Sequence, residues 1–406
     1  MAGHSERRAR ARAQRARYRT RWTNVRDIAL YRRQDGRAGS RNQLLIIAPE
    51  VLANSVARRI AGAVADAVLV VEPAGRALVD VDRETTLRTL TGLAAHPNVG
   101  AVLIVAYDAA LAEHMAAAAR DVGTPAAVLD MVECGSTIEA TSAGIRLSTQ
   151  LAIEASERIR EPAEPRDLIV GLKCGLSDGL SGLVLNPVVG RVVDKLVDRG
   201  ARCMFGESAE IWGAEHILAR RARSDVLGKK MVATVRERHD RSSSADMETA
   251  VVGPENRSGG ITTLTEKALG NVAKTGSAPI DGLLNYAEAP PKPGLYFMDT
   301  PVAAAEATTG LVAGGAHALL FTTGVGNPFG HLVAPTVKVG WSDESTVARR
   351  DHLDVDLGPV VAGEESLECA ADRVLEALLR VAGGRLTRAE VIKEGGYAVA
   401  REAPSV

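Results

Sequence analysis

Asp167-Leu-Ile-Val-Gly-Leu-Lys-Cys174-Gly-Leu-Ser-Asp178-Gly-Leu-Ser-Gly182 decides how this chain is read. The apolar run Leu168–Leu172 has the make-up of a buried strand. It passes into a polar loop, and a helix-like stretch, Val188–Arg199, follows Asn186-Pro187. The four glycines between positions 171 and 182 let the backbone turn sharply and approach a ligand closely. Between them sit a thiol (Cys174), a carboxylate (Asp178) and two hydroxyls (Ser177 and Ser181). Strand, glycine loop, helix is the order in which α/β proteins place their sites.

Working outward, the same alternation recurs. Before this loop, Gln43–Ala48, Ala67–Val71, Val99–Ala106 and Ala126–Leu129 read as strands. Leu52–Val64, Glu84–Ala95, Leu111–Val122 and Ser136–Glu157 read as helices between and after them. After it, Ala201–Phe205, Leu295–Met298 and Ala318–Thr322 are strands, with helices at Ile211–Arg223, Lys229–His239 and Ala303–Ala313; Asn256–Thr265 is a polar loop. Short β-branched runs alternating with helical periodicity mean βαβ units and parallel sheets covered on both faces. The expected fold is therefore α/β, with two parallel-sheet domains and the active site at the strand C-terminal ends. Glu157–Pro165, with two prolines among acids, reads as the linker. The division is residues 1–34 as an arginine-rich disordered tail, 35–158 as the first domain and 166–406 as the second. The first 24 residues carry eight arginines against the single acid Glu6.

Composition excludes several classes. At 406 residues, 46% hydrophobic and 24% charged, the chain has the balance of a globular protein of two or three domains. Aromatics are only 3%, so the core is built from Ala, Val, Leu and Ile. A net charge of -1 argues against general nucleic-acid binding. No apolar run approaches the roughly 20 residues needed to span a membrane. The four cysteines (134, 174, 203 and 369) are widely separated with no CxxC pair, which suits a reduced, cytoplasmic chain.

Four stretches carry the chemistry. Cys174 and Asp178 pair a soft and a hard metal ligand at one strand end. Gly206-Glu207-Ser-Ala-Glu210 places one carboxylate at a strand end and another in the next turn. Gly259-Gly260-Ile-Thr262-Thr-Leu-Thr-Glu266-Lys267 offers backbone donors, hydroxyls and an ammonium for an anion. Phe321-Thr-Thr323-Gly324 through Gly330-His331 is a second glycine loop at a strand end, closed by a histidine, with Asp299 on a neighbouring strand. There is no GxSxG elbow, no P-loop and no GxGxxG after the first strand, which disfavours serine hydrolases, ATPases and nicotinamide dehydrogenases. What remains suits a divalent metal that polarises an oxygenated substrate while a base removes a proton.

These residues resemble the altronate/galactarate dehydratase family of sugar-acid hydro-lyases. The similar stretches are Asp35-Gly-Arg, Gly171–Pro187, Gly206–Arg221, Gly259–Gly270, Tyr296-Phe-Met-Asp299, Phe321–Gly330 and Pro335-Thr-Val-Lys338. The resemblance implies removal of water from a hydroxylated acid to give a 2-keto acid, assisted by Fe²⁺ or Mn²⁺. Sulfo-lyase relatives expel sulfite from sulfolactate instead. It further implies Cys174 and Asp178 at the metal, and Glu207, Glu210, Lys267 and His331 as catalytic groups. Ser177, Ser181, Asn186, Gly259, Gly260, Thr262, Thr323 and Gly324 are the expected substrate-binding positions. The expected partners are a small hydroxy-acid substrate, further copies of this chain and a separate small subunit, with no membrane or nucleic acid. The chain departs from the family where Arg-Asn-His is common (Arg41-Asn42-Gln43) and where Gly-Cys-Glu is common (Ala106-Tyr107-Asp108). It departs again at Val325 and at Trp341-Ser342. A non-catalytic, carboxylate-binding member is the rival from another class.

Overall fold

Residues 28–72, 75–242 and 251–403 are described by the computed structural model. Most of the segment read as an arginine-rich tail, residues 1–27, lies outside them. The strands are β1 (Ile28–Arg32), β2 (Ala38–Gly39), β3 (Gln43–Ala48), β4 (Val68–Val71), β5 (Val99–Ala106), β6 (Ala126–Asp130) and β7 (Glu161–Ala163) in the first half. In the second they are β8 (Ile169–Cys174), β9 (Arg202–Phe205), β10 (Ile280–Leu284), β11 (Gly294–Met298), β12 (Ala318–Thr322), β13 (Thr336–Gly340) and β14 (Val355–Asp356).

Two parallel sheets result. The first has the order β4-β3-β5-β6 and the second β10-β11-β9-β8-β12-β13-β14. Every residue of β5, β8, β11, β12 and β13 is buried, the pattern of strands covered on both faces. Helices Asn54–Ala63 and Thr137–Ser156 cover one face of the first sheet. Helices Asp80–Ala94 and Ala109–Asp121 cover the other, and their core continues through Leu311 and Val312 to Ile169 and Leu319 of the second sheet. The two units therefore share an apolar layer. Helix Ala304–Ala313 lies in it, so close to helix Asp80–Ala94 that a Cβ on Gly92 would stand 2.4 Å from the Ala313 carbonyl oxygen. Helices Asn186–Val197 and Leu367–Ala382 close the outer face of the second sheet.

The strand and helix expectations hold in most places, with instructive exceptions. The proline-bearing segment expected to be a linker contains β7, which pairs antiparallel with β1 (Ile28↔Ala163, Leu30↔Glu161) in a small sheet ordered β2-β1-β7. Pro162 is tolerated because β7 is an edge strand. β1 itself falls in the segment assigned to the tail. The helix expected over Ile211–Arg223 is two short turns, Ser208–Ile211 and Glu215–Ala219, separated at Gly213, whose φ is +89°. The expected polar loop Asn256–Thr265 begins inside helix Pro254–Ser258 and ends in helix Leu264–Ala273, started by a Thr263/Glu266 capping box.

In the second sheet β9, β11 and β10 extend to one side of β8, while β12, β13 and β14 extend to the other. β8 and β12 thus form the point where strand order reverses, the usual ligand crevice of such sheets.

Candidate active site

β8 ends at Cys174, and its loop is tied at once to β12: Gly175 N donates to the Thr322 carbonyl at 3.0 Å. Leu176 follows with φ +51°, and a π-helical turn over Ser181–Leu185 leads into helix Asn186–Val197. Just beyond the adjacent β9, Glu207 stands at φ +69°, ψ +50°. A left-handed non-glycine residue costs about 1–2 kcal/mol, and such residues collect where function requires them. Gly206 before it has no alternative, since a Cβ there would lie 2.3 Å from Thr300 Oγ1. That same hydroxyl oxygen accepts the Glu207 N–H at 2.7 Å.

The left-handed turn drives the Glu207 carboxylate inward between two lysines. Lys173 donates to Oε1, and also to the carbonyls of Cys174 (2.6 Å) and Val302 (3.0 Å). Lys274 donates to Oε2 and to Asn271 Oδ1 at 2.6 Å, and its nitrogen is 3.3 Å from Cys174 Sγ. The Cys174 sulfur lies 3.7 Å from both Glu207 oxygens and from Glu210 Oε2. Glu210 in turn meets Lys267 Nζ at 3.2 Å and Asn271 Nδ2 at 3.3 Å. None of these side chains is more than 8% exposed. Three ammonium groups face two carboxylates, so the cluster carries an excess of positive charge, the sign an acid substrate requires.

Burial would drive each charged group toward its neutral form, and here the pairing wins. The Glu207 carboxyl, penalised by burial, is nevertheless held down to about 2 by Lys173 and Lys274. Burial likewise works against Lys173 and Lys274, but Glu207 and Glu210 beside the first, and Cys174, Glu207 and Glu210 beside the second, keep both above the usual lysine range. At the Cys174 thiol burial, reinforced by Glu207, outweighs the pull of Lys274 and Lys173 and pushes it up to about 12.

The other half of the site gathers on Asp178. Its Oδ1 accepts from Ser181 N (2.8 Å) and Ser181 Oγ (2.9 Å), and its Oδ2 from Trp341 Nε1 (2.7 Å). Gly259 and Gly324 pack directly on it; a Cβ would come within 2.6 Å and 2.2 Å of its side chain. Thus the loops after β8 and β12 and the turn at Gly259 converge, as the reversal between β8 and β12 requires. Ser177 joins through its carbonyl, which accepts from Asn256 Nδ2 at 2.8 Å. Asn256 Oδ1 accepts from Lys267 at 3.1 Å, linking this half to the lysine cluster. Asn186 fixes the helix start by donating to the Gly270 carbonyl (2.8 Å) and accepting from Thr322 Oγ1 (2.6 Å). Thr323 Oγ1 accepts two loop N–H groups, and Thr262 Oγ1 donates to Glu266. Gly260, at φ +90°, turns the chain beside Gly259.

A model of the D-galactarate/altronate dehydratase C-terminal domain matches residues 166–405, and a model of the second domain of D-galactarate dehydratase/altronate hydrolase matches residues 30–156. The chain belongs to this dehydratase family. It is 35% identical over 376 residues to the (2R)-sulfolactate sulfo-lyase subunit beta of Chromohalobacter salexigens, a match covering 91% of this chain and 96% of that one. Against the altronate dehydratase of Escherichia coli the identity is 31% over 380 residues, covering 89% of this chain and 75% of that one. The altronate dehydratase of Bacillus subtilis gives 32% over 378 residues, covering 89% and 74%.

In this dehydratase-family chain the group among the described residues that could hold a metal ion is Cys174, Glu207 and Glu210, each offering an atom within 4.8 Å of the others; it shares Cys174, and not Asp178, with the expected pair. One thiol and two carboxylates can hold a divalent transition metal. Asp178 is drawn instead to Ser181 and Trp341, where its oxygens organise loops. His331 is not brought to the cluster either. Its Nδ1 accepts from Val333 N at 3.1 Å and its Nε2 meets Thr309 Oγ1 at 3.3 Å, while burial lowers its pKa to about 3.

Lys173, Lys274 and Asn271 were missing from the expected site. Lys173 lies inside an apolar strand run, where its alternation gives no hint of inward pairing. Asn271 lies on helix Leu264–Ala273 and Lys274 caps its C-terminal end, and only the fold turns that end toward Cys174. Lys338 is a further buried lysine; it donates to the Asn327 carbonyl at 2.8 Å and lies 4.0 Å from the Phe321 ring centre. Burial lowers it to about 7, partly countered by Asp354 and Glu394. No helix among the described residues is long and apolar enough to cross a membrane.

Proposed function

We propose that this chain is a carbon–oxygen hydro-lyase that converts a small polyhydroxy acid of the aldonate or aldarate type to a 2-keto acid. The observation that carries the reading is the buried cluster of Cys174, Glu207, Glu210 and three lysines at the strand ends. Family membership supports a lyase. The lysine excess binds the substrate carboxylate and offsets the charge that grows on it as the C2 proton leaves. Glu210 takes that proton. Lys267, paired with Glu210, gives a proton to the hydroxyl at C3, which departs as water, and recovers one from Glu210. The C2–C3 enol then tautomerises to the keto acid. Cys174 and Glu207, with Glu210 in reach, are the residues that would hold Fe²⁺ or Mn²⁺; when bound, such an ion polarises a substrate oxygen. Asp178, Gly259 and Gly324 set the loop backbone around the substrate.

A second reading shares this chemistry with sulfite as the leaving group. It is favoured by the match to a sulfo-lyase subunit over 96% of that subunit's length, against about three quarters of the altronate dehydratases. It would call for a separate small subunit. The test is keto-acid release from altronate, galactarate and sulfolactate with each metal added, sulfite being read in parallel, on the native chain and on Glu210→Gln. Keto acid without sulfite, lost in Glu210→Gln, supports the hydro-lyase. Sulfite release from sulfolactate moves the assignment to the second reading. Silence on every substrate overturns both.

A further inference from the structure

The turn that carries Glu207 is also held from outside the lysine cluster. Asp299 and Thr300, just beyond β11, bracket it. Ser208 N donates to the Thr300 carbonyl at 3.1 Å and Ser208 Oγ to Asp299 Oδ1 at 2.6 Å, while Thr300 N donates back to Ser208 Oγ at 3.3 Å. Asp299 in turn sits in the fork of Arg238, on helix Asp225–Ser242: Nε donates to Oδ1 at 3.3 Å and Nη2 to Oδ2 at 2.9 Å. A planar guanidinium fixes a carboxylate in position and in orientation. Beside it His239 lies flat on Trp212, where the turn ends, with ring centres 3.7 Å apart.

Arg238 is itself anchored. Its Nη1 is 3.1 Å from Glu402 Oε1, and Arg241, one turn along the helix, donates to Glu402 Oε2. The backbone at Glu402 is tied to the first unit: Glu402 N and Ala403 N donate to the two oxygens of Asp82, at 2.8 Å and 2.9 Å, at the start of helix Asp80–Ala94. Arg401 pairs with Glu72, and the Tyr397 hydroxyl donates to the Val71 carbonyl at 2.7 Å, at the end of β4. The same segment rests on the second unit through Gly396 N, which donates to the Gly330 carbonyl at 3.0 Å, and Ala398 N, which donates to Thr309 Oγ1 at 3.2 Å. Residues 396–403 therefore form a strap across both units. A chain of contacts runs from Asp82 through Glu402, Arg238, Asp299 and Ser208 to the turn at Glu207. A left-handed glutamate persists only where its surroundings over-determine it, and this chain adds to that constraint.

We propose that Arg238 and Asp299 are positioning residues for Glu207, and that the strap, through Glu402, couples the first unit to the catalytic turn. The carboxylate of Glu207 reaches the two lysines only while its backbone stays left-handed, so loosening Ser208 or Asp299 misplaces it without removing any group of the cluster. As a claim about turnover this rests on the lyase reading above; as a claim about the turn it does not.

Hydrogen exchange and kinetics on the full chain test the two claims separately. Exchange read by mass spectrometry on peptides covering residues 206–212 should be about tenfold faster in Arg238→Met and in Glu402→Gln than in the native chain. Glu402→Gln keeps the side-chain shape, so it guards against misfolding of the larger change. Asp82→Asn weakens the hold of the first unit on the strap and should speed the same peptides about threefold or more. Glu237→Gln, which breaks an exposed pair with Arg241 on the same helix, should leave them unchanged. In the keto-acid assay Arg238→Met should lower kcat about 100-fold and leave KM within about twofold, because Arg238 holds the turn and not the substrate. Unchanged exchange at 206–212 in both Arg238→Met and Glu402→Gln overturns the positioning roles, as does a raised KM with kcat intact. Unchanged exchange in Asp82→Asn overturns the coupling to the first unit. A native chain silent on every acid overturns the lyase reading alone, since the exchange measurement still decides the strap.

Discussion

The Lys274 ammonium lies 3.3 Å from the Cys174 sulfur and donates to the Glu207 oxygen facing it. A positive charge built into the chain thus occupies the neighbourhood that a divalent ion would share. The two must compete for the same electron pairs. Lys274→Met, which keeps the side-chain length without the charge, should therefore take up Mn²⁺ or Zn²⁺ more tightly than the native chain, by about tenfold or more. It should also lose at least about 100-fold in turnover through the missing anion anchor. Metal titration by calorimetry and the keto-acid assay read the two effects separately; equal metal affinity in both proteins would refute the competition.

Glu207 is the shared partner of two buried lysines. Removing its charge strands both, and breaking a buried pair this way costs about 3–5 kcal/mol. Glu207→Gln should lower the urea midpoint accordingly, whereas Glu113→Gln, which breaks an exposed pair with Arg120, should change it little. Similar midpoints for the two variants would show that the lysines find other partners.

Acid should destabilise the fold well before the carboxylates titrate. Burial holds His317 and His331 down to about 3 and His96 well below its usual range. The unfolded chain binds protons at these positions below about pH 6.5, while the native chain does not until much lower pH. Stability present above that range is therefore lost as the pH falls through it, about 2 kcal/mol per histidine by about pH 5. Urea unfolding at about pH 7.5 and about pH 5 measures this; a flat profile would mean the histidines are protonated in the native state.

Gly324 and Asp178 are in contact so close that any side chain at 324 collides with the carboxylate. Gly324→Ala should cost about 1–3 kcal/mol and depress kcat/KM more than Trp341→Phe, which removes only one hydrogen bond to Asp178. Thermal melts and substrate kinetics on the two variants decide the order.

Cys174 is a buried thiol with its pKa pushed up to about 12, so it is protonated at neutral pH and a poor nucleophile. Iodoacetamide at about pH 7.5 should leave Cys174 unmodified in the native chain and label it rapidly in urea. Fast labelling of native Cys174, read by peptide mass spectrometry, would place a thiolate there.

What the amino-acid order determined by itself is local. Runs such as Val99–Ala106 and Ala318–Thr322 are continuously apolar because parallel strands are buried on both faces, and both strands begin and end where that pattern predicts. The loops carrying Cys174, Glu207, Gly259 and Gly324 were legible for the same reason: glycine and polar groups crowd in immediately after a strand or at a turn. Pairings between distant segments were not. β1 and β7 are short strands more than a hundred residues apart, and no local pattern marks such a partner. Nor could spacing tell that Asp178 would turn to Trp341 while Lys173 and Lys274 turned to Glu207. Only the tertiary structure decided those partners, because a charge buried in this core needs an opposite charge at hydrogen-bond distance, and the packing of whole sheets and helices selects which one is there.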